Sequence, residues 1–336
     1  MASTEAGEAG KENTTTSEDV PSPSAKVVLI TGGNSGIGFK AAELFLKAGN
    51  YDVILACRSE ERGTDAVTRL KSLVPETEAT FMKLDLASLK SIHEFADAFH
   101  ATGKPLNILV NNAGLTQGFR DTERKFTEDG YELTFGVNHL GHYLLTNLLI
   151  SDLKKIADSE GEARVVVVSS ELHDPDDIPS MKEKTVTPFE FDNLQFEKPG
   201  TYTGLRAYSR SKLANVLFTY ELARRLEGSN VTATAMTPGF IPETGLSRNS
   251  GAFMNFMLNY ILKPVFRWRN ISRTLDHGAG MVFDLATKEE YKGVTGKYFK
   301  DNKEKESSKL SYDQEIAKKL WEVSADMVKY EEAKAL

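Results

Sequence analysis

The chain has 336 residues, 40% hydrophobic and 26% charged, with 41 Lys and Arg against 48 Asp and Glu for a net charge of −7. That is globular composition with apolar residues enough for a large core. It offers no run of about 18 apolar residues to span a membrane and no basic footprint for nucleic acid. With Cys57 as its one cysteine, it excludes an intrachain disulfide and the CxxC pairs of a structural zinc site.

Residues 1–25 carry Glu5, Glu8, Glu12, Glu18 and Asp19 against Lys11 alone, and hold more than half of the net charge. The segment is Ser/Thr/Glu/Gly/Pro-rich and cannot bury enough surface to offset the entropy of ordering it. It reads as a disordered acidic tail, either plainly solvated or partner-binding. It has neither the apolar stretch of a secretory signal nor the Arg-rich, acid-poor character of a transit peptide. The expectation is a soluble, cytoplasmic protein.

After the tail, short apolar runs alternate with amphipathic stretches. The runs are Lys26–Thr31, Asp52–Cys57, Ala79–Leu84, Leu106–Asn111, Ala163–Ser169, Val231–Met236 and Gly296–Phe299. Several lack alternation, as strands buried on both faces do. Helical patterns cover Ile37–Lys47, Glu60–Leu73, Leu89–Phe99, Tyr131–Ile156, Leu205–Leu226 and Gln314–Val328. Strand alternating with helix predicts parallel strands with right-handed crossovers. A length prior of roughly 150 residues per domain predicts about two domains. The strand–helix rhythm predicts one instead: an α/β domain over 26–336 whose six or seven units make one open, doubly wound parallel sheet. Two stretches interrupt it, an insert at 171–204 and a segment at 240–270. Both follow carboxyl ends of strands, the edge where open α/β sheets bind ligands.

The first strand runs into Thr31-Gly-Gly-Asn-Ser-Gly-Ile-Gly38. Gly32 permits a tight turn, Gly36 lets backbone approach a pyrophosphate, and Gly38 lets the helix pack closely on the strand. Free N–H groups at the helix start face the anion. The spacing lacks the Gly-Lys-Ser/Thr ending of a nucleoside-triphosphate loop. The second strand ends Ala56-Cys57-Arg58-Ser59, with a guanidinium where a carboxylate would bind a ribose 2′-hydroxyl. Arg58 suits a 2′-phosphate and points to NADP(H); the counter-signal is Glu60 and Glu61 close by.

Tyr208 and Lys212 are spaced i, i+4 and share one helix face. A free tyrosine titrates near pH 10, and a nearby ammonium lowers that value. A dehydrogenase needs such a group to move a proton while hydride moves on a cofactor. Ser170 closes the fifth strand and can hydrogen-bond a substrate carbonyl. Asn138 lies in a largely apolar helical pattern, where a buried amide needs partners: it is either a local link or part of a polar relay. Asn111-Asn112-Ala113-Gly114 closes the fourth strand. His139, His142 and His173 have no metal-ligand spacing and read as structural or surface residues, with no metal site expected.

Together these residues resemble the short-chain dehydrogenase/reductase family. The match runs through Thr31-Gly32-x3-Gly36-Ile37-Gly38, Asn111 to Gly114, Asn138, Ser170, Tyr208-x3-Lys212 and Pro238-Gly239, and covers about residues 26 to 330. The resemblance implies a single Rossmann-type domain with a seven-stranded parallel sheet, and a catalytic tetrad of Asn138, Ser170, Tyr208 and Lys212. Tyr208 would be the acid in reduction and the base in oxidation, Ser170 would hold the substrate oxygen, Lys212 would lower the pKa of Tyr208 and bind ribose, and Asn138 would hold a water. It also implies cofactor contacts at Gly32, Asn34, Ser35, Gly36, Ile37, Gly38, Arg58, Asp85, Leu86, Asn112, Ala113, Gly114, Pro238, Gly239 and Thr244, besides Tyr208 and Lys212. Glu243 stands where the family usually has a threonine, and Thr244 follows it.

Val137-Asn-His-Leu-Gly-His142, Val167-Val-Ser-Ser-Glu171 and Tyr208-Ser-Arg-Ser-Lys-Leu213 resemble the branch of retinol dehydrogenases and WW-domain oxidoreductase. Thr244-Gly-Leu246 and Leu320-Trp-Glu-Val-Ser324 are similar to protochlorophyllide reductase, but Ala214 and Phe240 stand where its cysteines are expected. Ala252–Trp268 is dense in Phe, Met, Leu and Ile. It reads as a lid over a lipophilic substrate, as a core helix, or as a peripheral membrane contact with Lys263, Arg267 and Arg269 toward headgroups. The expected function is NADP(H)-dependent hydride transfer to or from a carbonyl or alcohol. The alternatives are an NADP-binding scaffold and a double-bond reductase. Family members are often homo-oligomers, and the expected partner is a small molecule.

Overall fold

A computed structural model describes residues 25–176, 189–241 and 273–336. Outside the described residues lie the expected tail up to residue 24, residues 177–188 of the insert, and 242–272, which includes most of the expected lid and Thr244.

Eight strands form one sheet: β1 (Lys26–Thr31), β2 (Tyr51–Cys57), β3 (Ala79–Lys83), β4 (Ile108–Asn111), β5 (Ala163–Val168), β6 (Val231–Thr237), β7 (Lys297–Lys300) and β8 (Lys303–Glu304). Their order is β3-β2-β1-β4-β5-β6-β7-β8. All pairings from β3 to β7 are parallel. The seven expected strands are thus the parallel ones. The two-residue β8 pairs antiparallel with β7 and was not anticipated. It returns through Asp301 and Asn302, both left-handed at φ 50° and 58°, the conformation a tight hairpin demands and that Asp and Asn tolerate.

The helices of the described residues are α1 (Gly36–Ala48), α2 (Glu60–Leu73), α3 (Leu89–Ala101), α4 (Leu133–Phe135), α5 (Gly141–Leu148), α6 (Ile150–Glu160), α7 (Gly204–Arg225), α8 (Leu275–Thr287) and α9 (Gln314–Val328). They cover both sheet faces. Along β1, Val27 and Leu29 belong to the core on one side, with α3, α5, α7 and α9. Val28 and Ile30 belong to the other, with α1, α2 and α8. Every second residue therefore enters a different core, which is why the strands read as unbroken apolar runs. α9 seals the first side: Trp321 stacks on Phe218 with ring centroids 5.7 Å apart. No helix of the described residues is long and apolar enough to cross a membrane.

One expected helix is broken. Tyr131–Ile156 resolves into α4, a π-helical turn at Gly136–Leu140, α5 and α6. Two close approaches accompany the widened turn. A Cβ on Gly136 would lie 2.5 Å from Thr127 Cγ2, and one on Gly141 would lie 2.7 Å from the Leu86 carbonyl oxygen. Such single π turns occur mostly at functional sites, and this one carries Asn138.

Candidate active site

The sheet order reverses at β1, so the chain leaves β1 and β4 in opposite directions and opens a crevice at their carboxyl ends. The glycine turn lies there. Gly36 has φ +58°, and a Cβ built on it would meet nothing within 4 Å, so the backbone faces open space. Gly38 is the opposite case: its Cβ would lie 2.6 Å from Asn112 Nδ2 and 2.7 Å from the Gly32 carbonyl oxygen. Ser35 starts α1 but its side chain caps nothing. The first N–H groups of α1 are therefore left for an anion. This bare, open helix start fits the pyrophosphate of a dinucleotide.

Arg58 stands exposed just beyond β2, and no described residue makes a hydrogen bond or ion pair with it. Glu60 and Glu61 occupy the first turn of α2, where carboxylates complement the helix dipole. The neighbouring Cys57 is buried, and burial pushes its thiol up to about 11. Asp85, after β3, uses Oδ1 to accept the Ala87 N–H at 3.0 Å. On the far side of the crevice, Gly239 follows Pro238 with φ +73°.

Across from the glycine turn, α7 starts at the Thr203 cap and carries Tyr208 and Lys212 one turn apart. Both are buried. Lys212 Nζ donates to the Val168 carbonyl at the end of β5, at 2.9 Å. Burial lowers its pKa to about 8. The ammonium sits 5.7 Å from the centre of the Tyr208 ring. The phenol was expected to be held down by that ammonium. Instead burial pushes it up to about 12, with the nearby Ser170 hydroxyl as the one opposing influence. Loss of hydration around a buried phenolate outweighs a charge that is already engaged by a carbonyl.

Ser170 caps the short 3-10 turn Glu171–His173. Asn138 is fully buried and is gripped on three sides. Its Oδ1 accepts Leu115 N–H at 2.8 Å, while Nδ2 donates to the Leu115 carbonyl at 2.9 Å and to Ser211 Oγ at 3.0 Å. A Cβ placed on Gly114 would lie 3.4 Å from Lys212 Nζ and 3.5 Å from Asn138 Oδ1. Asn138 and Lys212 thus meet at the loop 112–115, whose Ala113 lies against Gly32 of the glycine turn, and Tyr208 lies beside Lys212 on α7.

The short chain dehydrogenase family model matches residues 26–174. Retinol dehydrogenase 14 of Homo sapiens is 40% identical over 319 residues, covering 90% of this chain and 86% of its own. The chain belongs to the short-chain dehydrogenase/reductase family. The retinol dehydrogenase resemblance seen in the motifs is borne out by that relative. Short-chain dehydrogenase TIC 32 B, chloroplastic, of Brassica napus is 38% identical over 339 residues, covering 98% of this chain and 97% of its own. Among solved structures, the Pseudomonas aeruginosa RhlG/NADP active-site complex superposes with a TM-score of 0.62 at 22% identity, covering 82% of this chain and 94% of that one. It shares the fold.

In this short-chain dehydrogenase the sequence reading missed residues that act through others. Thr31 Oγ1 ties the end of β1 to the backbone of Asn112 and Ala113. Ser211 links Asn138 to the Tyr208 carbonyl, to which it donates at 2.7 Å. All three histidines of the motifs are buried, so the surface alternative fails. Phe119 stands beside Tyr208, ring centroids 6.2 Å apart. None of these has a local signature. Thr31, Asn138 and Phe119 each meet a partner far along the chain, which only the fold brings near.

Proposed function

We propose that this short-chain dehydrogenase is an NADP(H)-dependent oxidoreductase acting on the carbonyl or alcohol group of an apolar substrate. The observation that carries the reading is the Tyr208–Ser170 hydroxyl pair beside a buried ammonium, facing an uncapped glycine-rich helix start. The bound nicotinamide supplies or accepts the hydride. Ser170 holds the substrate oxygen. In reduction the Tyr208 O–H bond breaks and its proton joins that oxygen; a phenol titrating at about 12 is fully protonated at neutral pH and ready for this role. In oxidation Tyr208 acts from its phenolate form, which the Lys212 ammonium stabilises, and its oxygen takes the proton as the substrate O–H bond breaks. Asn138 holds the loop 112–115 against both.

The apolar class is supported by Phe119, 45% exposed beside an otherwise buried tyrosine, and by Phe240, 41% exposed just after Pro238-Gly239. Exposed aromatics at the mouth of a site favour apolar ligands. The test is a panel of aldehydes, ketones and alcohols with reduced and oxidised cofactor. Turnover of long-chain or ring-bearing aldehydes or ketones with NADPH is expected, above that of short polar ones. No turnover of any member would refute an oxidoreductase of this class.

Cofactor choice rests on Arg58, an exposed guanidinium where a 2′-phosphate would lie. Calorimetry is expected to show tighter binding of NADPH than of NADH. Arg58→Ala should raise the NADPH Kd by about tenfold or more, the size of one charge-assisted hydrogen bond, and leave NADH unchanged. Equal affinity of the wild type for both cofactors would overturn it.

A further inference from the structure

His142 lies one turn beyond Asn138 on α5, sealed from solvent at 3% exposure. Its two nitrogens face different elements. Nδ1 is 3.0 Å from the Asn138 carbonyl oxygen. Nε2 is 2.8 Å from Thr31 Oγ1, at the end of β1. A carbonyl can only accept, so Nδ1 carries the proton. Burial holds the imidazole pKa down at about 4, so the ring is neutral and Nε2 is a bare acceptor. Thr31 therefore donates its hydroxyl proton to Nε2, in preference to the Val110 carbonyl at 3.3 Å.

That leaves the lone pairs of Thr31 Oγ1 to the backbone. They accept the N–H groups of Asn112 and Ala113, each at 2.9 Å. The Asn112 side chain adds a bond to the Thr31 carbonyl at 2.8 Å. From Asn138 the path continues through Ser211 to the carbonyl of Tyr208. A line of hydrogen bonds, joined through the backbone and side chain of Asn138, thus runs from the end of β1, where the glycine turn begins, to the helix that bears Tyr208 and Lys212. Its central link needs a ring that donates on one side and accepts on the other. A lysine or arginine has no acceptor, and an apolar residue has neither function.

We infer that His142 is a positioning residue that couples the seat of the cofactor to the alignment of Asn138 and Tyr208. A saturated buried network of this kind is stiff, and removal of one member leaves its neighbours unpaired. Cofactor affinity and turnover should therefore fall together, while affinity for the substrate does not. The inference rests on the roles proposed above for Asn138 and Tyr208.

The test is a double-mutant cycle between His142→Phe and Thr31→Val, with Thr31→Ser as the conservative control. Each of the first two is expected to lower kcat and to raise the NADPH Kd by about tenfold, with substrate KM within about twofold of wild type. The double variant should be no worse than the worse single, because both break one line. Thr31→Ser keeps the hydroxyl and should behave as wild type. Losses that multiply in the double variant, or a Thr31→Ser as impaired as Thr31→Val, would overturn the coupling. Nitrogen NMR of the wild-type imidazole is independent of whether His142→Phe folds. The Nδ1-protonated tautomer at neutral pH is expected, and an Nε2-protonated ring refutes the line. Kd and tautomer are read without substrate. A wild type that binds NADPH but turns over nothing sinks the proposed reaction and leaves the cycle in binding to decide the coupling.

Discussion

Tyr208→Phe is expected to lower kcat by at least about a hundredfold, the lower end of what one general acid contributes, while NADPH binding is retained. The change deletes one oxygen and keeps the ring. Tyr208 is 7% exposed and lies against Phe119, so the phenyl ring still fills the space and the helix start is undisturbed. What disappears is the proton and the phenolic oxygen, on which the neighbouring Ser170 hydroxyl acts. The cofactor seat proposed here is built mainly on backbone of the glycine turn and of residues 112–114, which the substitution leaves unchanged. Rapid-mixing kinetics on the preferred substrate, with NADPH affinity from protein fluorescence, give the two readings. A variant with the wild-type rate would remove Tyr208 from the chemistry.

Lys212→Met should abolish most turnover, again by about a hundredfold or more, and make the protein more stable. The second half follows from burial. Lys212 titrates at about 8 in the folded chain against an ordinary 10.5. Between those values the unfolded state binds more protons than the folded one, so wild-type stability rises as pH climbs from about 8 toward 10.5. Below pH 8 the folded chain carries the full disadvantage of a buried ammonium, about 3 kcal/mol at this shift. Methionine removes it but strands the Val168 carbonyl, the acceptor of Nζ at 2.9 Å, which costs about 1–2 kcal/mol. The net expectation at neutral pH is a gain of about 1–2 kcal/mol and a melting temperature a few degrees higher. Denaturation at pH 7 and at pH 10 checks the sign: the gain should shrink at the higher pH. A variant less stable at pH 7 would show that the bond to Val168 outweighs the desolvation.

Most of the fold was legible because it is written locally. Val27 to Ile30 alternate between two cores, so no polar face interrupts them, and the same holds for the other central strands. Tyr208 and Lys212 announce a shared face by spacing alone. The expected helical patterns left out α8 (Leu275–Thr287), and other misses fell where distant chain intervenes. The π turn at Gly136–Leu140 coincides with the approach of Thr127 and Leu86 to two glycines, which no helical periodicity reports. β8 is two residues long; its one sequence signal was the Asp301-Asn302 pair, readable as a hairpin turn.

By itself the sequence determined the class of sheet, the glycine turn after its first strand, and the shared helix face of Tyr208 and Lys212, because strand burial, turn chemistry and helical spacing depend on neighbours a few residues away. Protonation and coupling were decided only by the tertiary structure. Tyr208 sits above its ordinary pKa and Lys212 below, both through burial. Thr31, His142 and Asn138 meet across 111 residues of chain. Desolvation and long-range hydrogen bonds depend on which elements the sheet order places side by side, and that order is not carried by any local stretch.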